Sequence, residues 1–166
     1  GKHTWLEDPM NDEARFARVR LRKLMPVLEE AGLGRARIAA AAGHLARARE
    51  ALDTVTVAVL VRAARRRDGA VHLDPAALAA APREVGLRAL AQLLMAVSGQ
   101  SYRPRFERLE RLYDRLAAGA LGGGSTLHGC RIAPLAGKRG AFGAGTLVLA
   151  REAGRGKTSA AAAAET

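Results

Sequence analysis

Apolar positions recur with a helical period through most of the chain, and alternate with a two-residue period only near its end. From Phe16 to Ala31, steps of about 3.6 residues per turn gather Phe16, Ala17, Leu24, Val27, Leu28 and Ala31 on one broad face. Arg15, Arg18 and Arg22 fall on the opposite face as a stripe, while Arg20 falls inside the apolar arc and must snorkel or meet an acid. The pattern predicts a helix over 12–31. Asn11 is its expected N-cap, and Asp12 and Glu13 stand where the helix dipole favours negative charge. Pro26 lacks the N–H that would bond back to Arg22, so a kink or restart is expected there, and Gly32 and Gly34 make the break.

A long helix is predicted from Arg35 to Arg67. Ile38, Leu45, Leu52 and Val59 repeat every seven residues, with Ala41, Ala48 and Val55 between them. Several of these are small, which favours an intramolecular hairpin over a free coiled coil. The run Val55 to Val61 is rich in β-branched residues and could be a strand, but the heptad seam passes through it without a turn signal, so helix is retained. Arg65, Arg66 and Arg67 then end the helix, where cations suit its dipole.

Asp68-Gly69 turns the chain into a short extended piece, Ala70 to Leu73, and Asp74-Pro75 caps a short helix to about Ala81. Pro82 opens a helix whose buried face is Leu87, Leu90, Leu94 and Val97, closed by Ser98-Gly99. Pro104 opens another, with Phe106, Leu109, Tyr113 and Leu116 on one side. Arg105, Arg108, Arg111 and Arg115 interleave there with Glu107, Glu110 and Asp114, so local ion pairs are expected to neutralise much of that arginine. Beyond the glycines 122–124, Ser125 to Pro134 and Thr146 to Arg151 read as two strands joined by a glycine-rich loop with Lys138 and Arg139 at its tip. The expected fold is mainly α, a helical bundle with a short C-terminal β-hairpin. Its expected organisation is a junction over 1–11, a helical domain over 12–121, the hairpin over 122–152 and a disordered tail over 153–166.

Composition changes this picture in two ways. Hydrophobic residues make up 49% but aromatics only 4%, so thin helix-on-helix packing is expected rather than an aromatic core. The 27 Lys and Arg against 16 Asp and Glu leave a net charge of +11, with Arg far exceeding Lys. The flat guanidinium fork suits phosphate, which makes nucleic acid the first partner to consider. An arginine bias inherited from a GC-rich genome is the bland alternative.

Several chemistries are excluded or weak. One cysteine, Cys130, permits no internal disulfide and fits a reducing cytoplasm. No apolar run approaches the roughly 20 residues that span a bilayer, so no membrane partner is expected. His128 and Cys130, two apart on an expected strand, share a face, but a zinc site needs about four ligands and the four His are scattered. No metal site and no Cys–His nucleophile are therefore assigned. Gly154-Arg155-Gly156-Lys157-Thr158 imitates the end of a P-loop, but the required first glycine is replaced by Arg151.

The opening stretch supplies the most specific signal. Trp5, Glu7, Asp8, Pro9 and Asn11, followed by Phe16, Arg18, Arg22 and Pro26, resemble the junction segment of the bacterial tRNA(Ile)-lysidine synthetases, a PP-loop ATPase family. There the segment leaves the ATP-using domain and enters the helical domain behind it. Val19 departs from the asparagine often found after the first arginine. A looser similarity of element order extends over about residues 5 to 152, through Asp68-Gly69, Ser98-Gly99, Thr126-Leu127-x-Gly129-Cys130 and Arg151-Glu152. The family's Ser-Gly-Gly-x-Asp-Ser nucleotide loop is absent, and the chain starts abruptly at Gly1, as if cut from something longer.

The resemblance implies a non-catalytic, tRNA-handling, cytoplasmic region of a C–N bond-forming ligase. The parent enzyme would use ATP and Mg²⁺ to adenylate the wobble cytidine of tRNA-Ile and then join free lysine to it. This region would hold neither cofactor and would be inactive alone. Its implied partners are tRNA-Ile and the enzyme's own N-terminal PP-loop domain. The resemblance places Arg18 and Arg22 at the active-site edge, with Asp8 and Asn11 fixing the turn that aims them. Arg15, Lys138 and Arg139 are candidate phosphate contacts. A free-standing basic helical nucleic-acid-binding module and a structural interaction bundle remain the alternatives.

Overall fold

A computed structural model of the chain describes residues 9–135 and 140–152, with side chains from residue 16 onward. Asp8, Lys138, Arg139 and the expected tail over 153–166 lie outside the described residues, and the side chains of Asn11 and Arg15 are likewise not described. The protein is mainly α-helical with a small antiparallel sheet at its C-terminal end. It divides into two compact units, residues 1–51 and 52–166.

In the first unit, α1 runs over Pro9–Glu30 and α2, Arg35–Ala63, begins. The first helix starts at Pro9, a favoured first-turn residue, so Asn11 lies inside the opening turn rather than before it as a cap. The helix also continues through Pro26 instead of restarting there. It ends in a Schellman arrangement: Leu33 N–H donates to Leu28 O at 2.7 Å and Gly32 N–H to Glu29 O at 3.0 Å. Gly32 has φ +77°, which a side chain would resist. The expected apolar face is not buried within this unit. Phe16, Leu24 and Val27 are all more than half exposed, and Ile38 and Leu45 of the heptad seam are 42% and 71% exposed.

The second unit holds the core. The remainder of α2 is helical through the Val55–Val61 run, as the seam predicts, and it buries Thr56, Val59 and Ala63. The helix stops at Ala63. Ala64–Arg67 is a strand, β1, and not the helix end expected from its arginines. The physical cause is the turn that follows: Asp68 and Gly69 both take positive φ (53° and 77°), the geometry of a two-residue hairpin. That turn folds β1 onto β2, Ala70–Leu73, pairing Arg67 with Ala70 and Ala64 with Leu73. Asp74 then caps α3, Pro75–Ala79, accepting from Ala76 N–H at 3.0 Å and Ala77 N–H at 3.2 Å. Next come α4, Arg83–Ser98, closed by Gly99 in the left-handed region, and α5, Phe106–Ala117.

The segment read as one strand over 125–134 is two: β3, Ser125–Leu127, and β4, Cys130–Pro134. His128 and Gly129, φ 55° and 70°, form a second two-residue hairpin between them. With β5, Leu147–Arg151, the sheet has the order β1-β2-β5-β4-β3, every neighbour antiparallel. The expected C-terminal hairpin of β4 and β5 is therefore its centre, extended on both sides.

Register assigns the faces. Leu73 with Leu147, Ile132 with Leu149, and Cys130 with Arg151 share the inner face, where Leu73, Ile132, Leu149 and Cys130 are fully buried. On them packs α4 through Leu87, Leu90 and Leu94, and α5 adds Leu109, Leu112, Tyr113 and Leu116. Phe106, expected in that row, is 60% exposed. Gly86 lets α5 approach closely, since a Cβ there would lie 2.5 Å from the Tyr113 ring. On the outer face, His72 is covered: Ala141 N–H donates to its Nδ1 at 3.2 Å, and Arg65 lies over the Phe142 ring at 5.8 Å.

Candidate nucleic-acid interface

Of the predicted site residues, Arg18 and Arg22 are described with their side chains. They lie one turn apart on α1, both exposed, and neither has a hydrogen-bond or ion-pair partner among the described residues. Arg15 belongs to the same helix. Arg20, the misfit of the helical wheel, is exposed as well.

His128 and Cys130 do not form a pair. His128 occupies the β3–β4 turn, and Cys130 sits on the inner face of β4, where its thiol donates to Leu94 O at 3.4 Å. Burial pushes the Cys130 thiol above its ordinary pKa, which suits a packed, unreactive cysteine. Among the described residues no three His, Cys, Asp or Glu come together to hold a metal ion.

A second concentration of unneutralised charge lies on α5. Arg83, at the start of α4, binds Asp114 and also reaches Glu110 at 3.3 Å. Its guanidinium lies 5.6 Å from the centre of the Tyr113 ring. Two of the three acids expected to neutralise the arginines of α5, Glu110 and Asp114, are thus engaged from another helix, whereas Glu107 is exposed in its first turn. Arg108 and Arg111 have no acidic partner among the described residues. Arg115 instead pins the segment leading into β3, donating to Leu121 O at 2.9 Å and to Ser125 Oγ at 3.5 Å. Together these three arginines line a hollow of about 520 Å³ with Leu112, the stretch 125–129 and Glu152.

The Arg83 pair has a measurable consequence. Its guanidinium holds the Asp114 carboxyl below its ordinary pKa, chiefly through the hydrogen bond between them. A depressed carboxylate pKa adds stability that is present above the unfolded value, near 4, and is lost as pH falls through the folded value. Thermal melts of wild type and Arg83→Met should differ at pH 7 and converge below about pH 4. The difference should be small, because both partners are about half exposed. A gap that stays constant from pH 7 to pH 2 would contradict the pairing.

Comparison with known proteins bears on what such a surface serves. The chain is 44% identical over 133 residues to the tRNA(Ile)-lysidine synthase of Methylobacterium nodulans, a match spanning 73% of this chain and 39% of that protein. It is 45% identical over 111 residues to the tRNA(Ile)-lysidine synthase of Methylobacterium sp. (strain 4-46), spanning 66% of this chain and 32% of the relative. It is 35% identical over 101 residues to that of Ruegeria pomeroyi, spanning 61% and 24%. The chain belongs to the tRNA(Ile)-lysidine synthase family. It spans between about a quarter and two-fifths of the length of these relatives. No family model and no solved structure matches it.

The arginines of α5 are candidates that the sequence alone does not single out. Their i, i+3, i+7 spacing was visible, but so were the acids between them. What removes those acids from consideration is Arg83, 27 and 31 residues away in sequence.

Proposed function

We propose that this chain is the non-catalytic, tRNA-handling region of a tRNA(Ile)-lysidine synthase, lying behind the domain that uses ATP. The observation that carries the reading is the 44% identity over 133 residues to a protein of that name, confined to 39% of its length. The absence of the family's nucleotide loop from this sequence fits the same assignment. ATP, Mg²⁺ and free lysine are then handled by the rest of the enzyme. This region contributes positive surface that holds folded RNA through its phosphates. Arg18 and Arg22 edge the active site, with Asp8 and Asn11 shaping the entry into α1 and Arg15, Lys138 and Arg139 adding phosphate contacts. The exposed Phe16, Leu24 and Val27 suit a helix that packs against the ATP-using domain of the same cytoplasmic enzyme.

The test is a titration of the purified chain with tRNA-Ile at several salt concentrations. Binding that weakens steeply with salt is expected, with a log–log slope of about −2 or steeper if three or more phosphates are neutralised. A chain that binds no tRNA at low salt would overturn the tRNA-handling role and leave a structural bundle as the better account.

A further inference from the structure

We infer that the hollow between α5 and the β3–β4 turn is an RNA-strand site, in which Arg108 and Arg111 hold backbone phosphates and Tyr102 receives an adjacent base. The inference rests on the tRNA-handling reading and assigns it a second surface, distinct from the α1 stripe.

Three observations carry it. The first is the segregation of charge on α5. Leu109, Leu112, Tyr113 and Leu116 face the core, Glu110 and Asp114 face Arg83, and Arg108, Arg111 and Arg115 fall within an arc of about 60° on the remaining side, with Glu107 about 40° beyond the edge of that arc. Among the described residues Glu152 is the one carboxylate lining the hollow against these three guanidiniums, so the surface they form is positive. The second is shape. Seven residues of helix separate Arg108 from Arg115, about 10 Å along the axis. A row of that length suits a run of backbone phosphates better than a single small anion, and the flat guanidinium takes phosphate oxygens two at a time.

The third observation is the wall opposite. His128 lines the hollow, and its Nε2 is buried without a hydrogen-bond partner among the described residues. Its ring meets Tyr102 edge-on, with centroids 5.0 Å apart, and Tyr102 is 66% exposed. An exposed aromatic beside a basic row is how unpaired bases are held while the backbone is neutralised. A lone phosphate has no use for Tyr102.

The experiment compares tRNA-Ile binding by the wild-type chain with Arg108→Gln/Arg111→Gln, Arg108→Lys/Arg111→Lys, Tyr102→Ala and the control Arg67→Gln. Arg108 and Arg111 are exposed and make no structural bonds among the described residues, so melting temperatures should be unchanged. The glutamine pair should flatten the log–log salt slope by about 1.4, as expected for two contacts to a single strand. The lysine pair should stay within about threefold of wild type, Tyr102→Ala should weaken binding about tenfold, and Arg67→Gln should change little. If the wild type binds tRNA and the glutamine pair binds it equally well, the hollow is not the site, while the tRNA-handling role stands. If the lysine pair loses as much as the glutamine pair, the charge argument is overturned. Displacement of the tRNA by inorganic phosphate at constant ionic strength would assign the hollow to a small free anion and refute the strand site. If the wild type itself fails to bind, both readings fall together.

Discussion

Leu90→Ala is expected to destabilise the second unit by about 2–5 kcal/mol, a large share of the roughly 5–15 kcal/mol that holds a domain together. Leu90 is fully buried in the middle of α4, the helix that packs on both the sheet and α5. Truncation removes its transfer free energy and leaves a cavity that the surroundings are poorly placed to fill. Ala63, Ala89 and Ala91 are among the other core positions, and these have no flexible side chain to move into a void. Tyr113 is already seated closely against α4, at Gly86 and beneath Arg83, which limits collapse from α5. Urea unfolding should show a lower midpoint at unchanged slope. The matched control is Leu21→Ala on α1, 57% exposed, which should stay within about 0.5 kcal/mol of wild type. A cost below about 1 kcal/mol at Leu90 would mean that α4 does not carry the core.

The legible parts of the fold were those decided by local chemistry. Asp74-Pro75 announces α3 because the carboxylate can cap and the proline is preset for a first turn, and both happen. Gly99 closes α4 for an equally local reason, its left-handed φ of 76°. The β-branched run Val55–Val61 is harder, since propensity alone favours a strand. The heptad seam decided correctly for helix, because Val59 and Ala63 bury against the core.

What sequence could not show depends on partners far along the chain. Arg65 to Arg67 suit a helix terminus, but β2 offers a ladder once Asp68-Gly69 turns back, and backbone pairing outweighs a few tenths of a kcal/mol of dipole attraction. His128-Gly129 is a hairpin dipeptide with an unusual first residue, since a non-glycine residue rarely takes positive φ. Missing it placed His128 and Cys130 on one strand face, when one is in a turn and the other is in the core. On α1 the wheel separated an apolar arc from an arginine stripe, but amphipathicity says only that a face wants a partner. Within the first unit the apolar arc stays largely exposed.

The arginine stripe gives the largest functional effect. Under the proposed role, Arg18→Ala/Arg22→Ala in the full-length enzyme should lower kcat/KM for lysidine formation by about a hundredfold, and each single change by about tenfold. These magnitudes follow from charged hydrogen bonds worth about 1.5–3 kcal/mol each, with some loss shared between neighbours. Stability should not follow activity downward. Like charges one turn apart on a helix repel, and alanine is the better helix former, so the double variant should hold α1 as well as wild type or slightly better. Lost activity with an undiminished melting temperature would therefore report lost contacts rather than lost fold. Arg18→Lys/Arg22→Lys separates charge from geometry. It should recover part of the rate by restoring attraction to phosphate, but not the whole, because an ammonium cannot grip two oxygens as a guanidinium does. If the double alanine variant forms lysidine within twofold of wild type, Arg18 and Arg22 are a solvated helix face, and the α5 hollow becomes the first place to look for the RNA contact.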